Sequence, residues 1–203
     1  ASRTEGFSYR ELWQFCLSRR KYLTYHFIAY LCLAIQGFAF LTWIVEFFVR
    51  IHGWTRTEIG LTYGSIALIV GVMGSVGAGY YAGYWLAKGR ADAPMRLAFY
   101  GTIGLGPLAV IMPLVSSDWL AIAIIIPITF FMAMPPGLSN AALQAISPNR
   151  LRGQMIAVYL ICVSFLSYLF APLIIGLMND YVFGREDAIG WSLSSLAVVN
   201  YAI

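Results

Sequence analysis

Pro135 and Pro136 stand in the middle of a long apolar run, and Asn140 and Gln144 follow at intervals of four residues. Prolines lack the backbone donor, so the pair loosens a helix and leaves carbonyls in need of other partners. Pro136, Asn140 and Gln144 share one helical face, and an amide stripe is costly against lipid, so it is expected to face protein or an aqueous cavity. Amides both donate and accept hydrogen bonds, which suits them to holding the polar end of a solute. Gln36, with Phe40, Trp43 and Phe47 along its own face, is a matching candidate. Ser164, Tyr168 and Pro172 form a third set. These seven side chains, Gln36, Phe40, Trp43, Asn140, Gln144, Ser164 and Tyr168, are the candidate lining of a substrate cavity. For Gln36 and Asn140, hydrogen bonding between helices with no ligand stands as the alternative. Serines in membrane helices often bond only their own backbone.

Other chemistry is poorly represented. His26 and His52 fall at opposite ends of one apolar run, and Cys16, Cys32 and Cys162 have neither disulfide-like nor zinc-like spacing. No Ser/His/Asp or Cys/His set and no carboxylate cluster can be assembled, so no enzyme, no metal and no cofactor is expected. Glu46 is the one acid close to the interior of a complete run. Arg50 beside it favours an interfacial ion pair over a proton-carrying role. No filter-like Gly-aromatic-Gly segment suggests a channel.

The elements that position these residues follow from composition. Hydrophobic residues make up 60% of the 203 and charged residues 11%, against roughly 45–50% and 25% in a soluble domain; mean hydropathy is +0.75. The apolar residues gather into runs at about 24–49, 59–87, 97–115, 119–145 and 153–178, with an incomplete sixth at 191–203. About 20 residues of helix cross about 30 Å of hydrocarbon, so the first five runs are long enough to span. The runs are too long for barrel strands, and helices satisfy their own backbone in lipid. The sixth run is expected to be cut short by the end of the chain. The start bears no signal peptide and resembles an internal segment of something longer. Residues 1–23 are expected to form a linker, with a short helix over Glu11 to Tyr22 lying at the headgroups or docked on protein.

The second span carries Gly71, Gly74, Gly77, Gly79 and Gly83, so some face of it can approach a neighbour closely, either in fixed packing or in sliding. The third span holds little besides glycines and prolines, and a peripheral, lipid-facing support position is expected for it. Charge then orients the whole. Arg3, Arg10, Arg19, Arg20, Lys21, Lys88, Arg90, Arg96, Arg150 and Arg152 fall in alternate connections, while Arg50, Arg56 and Arg185 fall in the others with most acids. This ten-to-three split makes the first side cytoplasmic, with the N-terminus inside a cell (inner) membrane. It also accounts for the net charge of +4 without a nucleic-acid partner.

Two stretches carry a resemblance. Ser147-Pro148-Asn149-Arg150-Leu151-Arg152-Gly153-Gln154 looks like the Pro-x-x-x-Arg-Gly element before the eleventh helix of a major facilitator superfamily transporter. Gly79 to Arg96 looks like the Gly-rich helix end and basic turn between its eighth and ninth helices. The chain thus resembles the C-terminal half of such a carrier, an all-α integral membrane, six-helix half-bundle built as a 3+3 inverted repeat. Gly89-Arg90-Ala91-Asp92-Ala93, Ala141 to Arg150 and Asp180 to Gly184 resemble the Spinster-like branch. Gly83-Tyr84 departs from the family's usual Asp-Arg after the eighth helix. The resemblance implies a rocker-switch secondary transporter whose solute binds at mid-membrane between this half and an N-terminal six-helix half. The first, second, fourth and fifth spans would line the cavity, and Gly71, Gly74, Gly77, Gly79, Gly83, Pro135, Pro136 and Pro172 would serve packing and gating. Arg90, Arg150 and Arg152 would guard the cytoplasmic mouth or act only as topology signals. The solute is expected to be small and organic or amphiphilic, with ion or proton coupling through a carboxylate of the other half. A non-transporting sensor or assembly subunit is the competing class, and it predicts Gln36, Asn140 and Gln144 packed without a cavity.

Overall fold

The apolar runs form helices throughout the described part of the chain. A computed structural model describes residues 9–203, with only the backbone of Tyr9 and Glu186; the first eight residues of the expected linker, Arg3 included, lie outside it. Helix α1, Tyr9–Ser18, is followed by α2, Arg20–His52; Gly53 ends α2 in the left-handed region at φ 71°, open to residues without a Cβ. Thr55 and Glu58 form a reciprocal capping box that starts α3, Arg56–Ile66. A wide π turn, Ala67–Gly71, joins α3 to α4, Val72–Ala87. Next come α5, Ala93–Ile111, extended by a tight turn at Met112–Leu114, then α6, Asp118–Ala133, and α7, Pro135–Ile146. Helix α8, Arg152–Leu177, runs into a π turn at Met178–Phe183, and α9, Ile189–Ala202, closes the order.

Five helical stretches are long and apolar enough to cross a membrane: Arg20–His52, Arg56–Ala87, Ala93–Leu114, Asp118–Ile146 and Arg152–Phe183. Five of their ten ends fall within one residue of the predicted runs, and the other five extend them by about a turn. Among the described residues there is no strand. The main core joins Phe40, Ile44, Phe47 and Phe48 of α2 to Leu105 of α5, Ile125 and Ile128 of α6, Ile175 of α8 and Leu193 of α9. A second core gathers Leu143, Leu151, Met155, Tyr159 and Val163, with Leu12, Phe15 and Cys16 of α1 packed on it. Helix α1 therefore docks on protein through one face, and Trp13 and Leu17 point outward on the other.

The third span, expected at a lipid-facing support position, is the most closely packed of the five within this chain. Its most apolar stretch is 39% buried, the largest share among the five, against 11% for the second span. The glycines are the reason. A Cβ on Gly104 would meet the Phe131 ring at 2.7 Å, and one on Gly106 the Tyr201 ring at 2.8 Å, so α6 and α9 nest against bare backbone. The second span is the least covered within this chain, with Leu61, Leu68, Met73, Val76 and Tyr80 exposed.

Charges collect at the two ends of the bundle. At one end Glu46 accepts from Arg56 at 2.8 Å and from Arg50 at 3.4 Å, the predicted ion pair enlarged by a third member, and Trp54 Nε1 donates to Asp118 at 3.0 Å. At the other, Arg150 faces Glu11 at 3.8 Å, Arg96 pairs with Asp92, and the Arg90 guanidinium lies 5.2 Å over the Trp85 ring. Hydrogen bonding to the Arg96 guanidinium holds the Asp92 carboxyl below the usual carboxylate range.

Candidate functional site

The fourth span is interrupted where its prolines predict. Neither Pro135 nor Pro136 has an N–H to return to Phe131 or Met132. The ladder lapses at Met134, whose N–H reaches only the Phe131 carbonyl, at 3.4 Å. Across from this break, Gly37 removes bulk from α2; a Cβ there would touch Met132 Cε at 3.4 Å. The space left is a recess of about 340 Å³ between α2, the α6–α7 junction and α8, lined among others by Gly37, Phe38, Pro135, Pro136, Leu160 and Ser164. Leu105, 1% exposed, also lines it and brings its wall down to the core. The recess is apolar, with few polar groups such as the Ser164 hydroxyl, the pattern of a site for a mostly apolar ligand.

The predicted site residues divide around this recess. Pro135, Pro136 and Ser164 line it, and the exposed Tyr168 stands beside it, its ring centroid 4.1 Å from that of Phe38. Pro172 deprives the Tyr168 carbonyl of its helical donor. Gln36, Phe40 and Trp43 do not line it. Gln36 is 2% exposed, its Oε1 accepting from Asn200 Nδ2 at 3.0 Å, and Phe40 is core, edge-on to Tyr63. Trp43 is half-buried and lies 3.9 Å from the Cβ position of Gly176, its Nε1 without a partner among the described residues. Asn140 is half-buried with Oδ1 unpartnered among those residues, and Gln144 is exposed.

The glycines of the second span divide as well. Only Gly74 is in backbone contact, against Phe130, while Gly71 makes ordinary contact with Thr129 at 3.8 Å; Gly77, Gly79 and Gly83 have nothing within 4 Å of their Cβ positions. Arg152 Nε donates to the Ser147 carbonyl at 3.1 Å, bracing the turn before α8.

Sequence reasoning set aside one arrangement that three helices assemble. Ser139 Oγ lies 3.0 Å from His26 Nε2 and 2.6 Å from the Tyr159 hydroxyl, and all three residues are buried. Tyr22 stacks on His26 at 5.7 Å and Tyr30 on Tyr159 at 5.5 Å. The one available signal was a histidine inside a membrane-length helix, which is costly unless partnered. A further recess of about 440 Å³ borders this cluster, lined by Tyr22, His26, Tyr30, Phe99, Ser139 and Tyr201 among others.

An all-α bundle with five membrane-length helices defines a class, the polytopic membrane proteins. Residues 1–172 match the family model of the Major Facilitator Superfamily, and the chain belongs to that family. Members are typically membrane transporters rather than enzymes. No curated protein matches the chain significantly.

Proposed function

We propose that this chain is the C-terminal half of a secondary active transporter that works by alternating access between two six-helix halves. Residues 24–203 form that half and 1–23 the linker before it. The observation that supports it is the recess where the Pro135-Pro136 break, Gly37 and Ser164 meet, on a wall formed by three spans with exposed Leu41, Phe165 and Tyr168 around it. Such a wall matches the middle of a central cavity completed by the other half. Its apolar and aromatic character favours a small organic or amphiphilic solute, in keeping with the Spinster-like resemblance. Pro135 and Pro136 supply compliance, Gly74 fixes α4 on α6, and Arg90, Arg150 and Arg152 sit at the mouth. That mouth faces the cytoplasm of a cell membrane by the distribution of basic residues.

One observation favours the non-transporting alternative: Gln36 is satisfied by Asn200, inside the bundle. Uptake into proteoliposomes containing the complete protein, with a panel spanning lysophospholipids, other amphiphiles and sugar acids, separates the two. Saturable uptake that Ser164→Trp abolishes is the expected result. Absence of uptake for every member of the panel, in folded protein, would leave the sensor or assembly reading.

A further inference from the structure

We propose that His26 is a proton-binding site whose charge state controls the docking of α2 on α7 and α8. This rests on the transport reading only in giving the movement a purpose.

The geometry fixes how a proton would act. A hydroxyl has one hydrogen to give, so Ser139 cannot donate to His26 and to Tyr159 at once. The phenol is the stronger acid of the two hydroxyls, and the 2.6 Å separation is short for such a pair. On that ground we assign Tyr159 as donor to Ser139, and Ser139 as donor to an unprotonated Nε2 of His26 with the ring hydrogen on Nδ1. A proton taken from water at Nε2 turns that nitrogen into a donor. Ser139 Oγ must then accept from His26; with two lone pairs it still accepts from Tyr159, but its own hydrogen has to leave the imidazole for another acceptor. One proton thus reverses the hydrogen bond that ties α2 to α7, with no bond broken apart from hydrogen bonds.

The surroundings make the charged state costly while the cluster is closed. His26 is 6% exposed. Its own helix presents Tyr22, Tyr25, Tyr30 and Cys32, α8 presents Tyr159, and α9 presents Tyr201; α5 contributes Met95, Ala98, Phe99 and Thr102, and α7 contributes Pro135 and Ser139. The lining of the adjoining recess includes no Asp or Glu. The cations Arg19, Arg20 and Lys21 sit about one turn or two before His26 on the same chain, beside Tyr22. An imidazolium therefore has no counter-ion at hand and has like charges at the helix start, so protonation favours a state in which α2 separates from α7 and α8 and His26 meets water.

Complete protein labelled with ring-13C histidine, in nanodiscs, is titrated from about pH 8 to about pH 5, with the signal missing in His26→Gln assigned to His26 among all the histidine resonances. Spin labels at Thr24→Cys and Ala157→Cys, with the native cysteines replaced, report the α2–α8 distance. The His26 signal should titrate, the distance should lengthen in step, and Tyr159→Phe should shift the midpoint. His26→Gln, which keeps an amide for Ser139 and cannot titrate, should abolish the pH dependence of the distance in folded protein. A His26 signal constant over that range, or a distance change that survives in His26→Gln, would overturn the proposal. Uptake by the same protein is read separately: uptake with a static His26 refutes the proton site and spares transport, whereas a titrating, moving His26 without uptake refutes transport and spares the site.

Discussion

A Cβ placed on Gly74 would stand 2.3 Å from the carbonyl oxygen of Phe130, so the second and fourth spans meet backbone to backbone. Backbone cannot swing aside as a flexible side chain can, and any substituent must push the helices apart. Gly74→Ala is expected to cost about 1–3 kcal/mol by overpacking, read as a lowered Tm in detergent. Gly77→Ala and Gly83→Ala, with nothing within 4 Å, are expected to leave it unchanged.

The prolines at the α6–α7 junction remove donors where the fourth span borders the recess. Pro135→Ala and Pro136→Ala restore them, each gaining about 1 kcal/mol of hydrogen bonding at most. Tm is expected to hold or rise while uptake falls. A drop in both would show that the break serves packing alone.

Recess and core respond differently to size. Gly37→Trp and Ser164→Trp are expected to fill the recess, abolishing uptake with little change in Tm. Phe40→Ala, at a residue 2% exposed, is expected to cost about 3–5 kcal/mol through the cavity it leaves. Thermal unfolding beside uptake on each variant separates the two effects.

Gln36 and Asn200 join the first span to α9 by one hydrogen bond of 3.0 Å. A double-mutant cycle with Gln36→Leu and Asn200→Leu is expected to give a coupling of about 0.6–2 kcal/mol, the range for such bonds within membranes. Unaltered uptake in Gln36→Leu would assign the amide to packing, and lost uptake at full stability would return it to the solute.

Asp92 and Arg96 pair in the connection between the second and third spans. The guanidinium depresses the Asp92 carboxyl when folded, so the stabilisation is complete above the ordinary unfolded value of about 3.9 and disappears as pH falls through the lower folded one. Both groups are exposed, so the effect is small. Tm of Asp92→Asn is expected to lie slightly below wild type from pH 5 to 8 and to converge with it in strong acid.

Run length and the sorting of basic residues were enough to place five spans, because both are local responses to lipid: backbone must pair within its own segment, and a helix needs a set number of apolar residues to cross. The Pro135-Pro136 break was legible for the same reason, since a missing N–H acts on its own turn. Which faces meet was not legible. In a span that is apolar nearly all round, no stripe marks the inside, and so the close packing of the third span on α6 and α9 could not be read from its residues. Gln36 was expected on a cavity wall and is bonded to Asn200, 164 residues away, while Ser139 finds His26 across 113 residues. Contacts of that kind depend on how close bare glycine backbone lets whole helices come, and only the assembled bundle decides it.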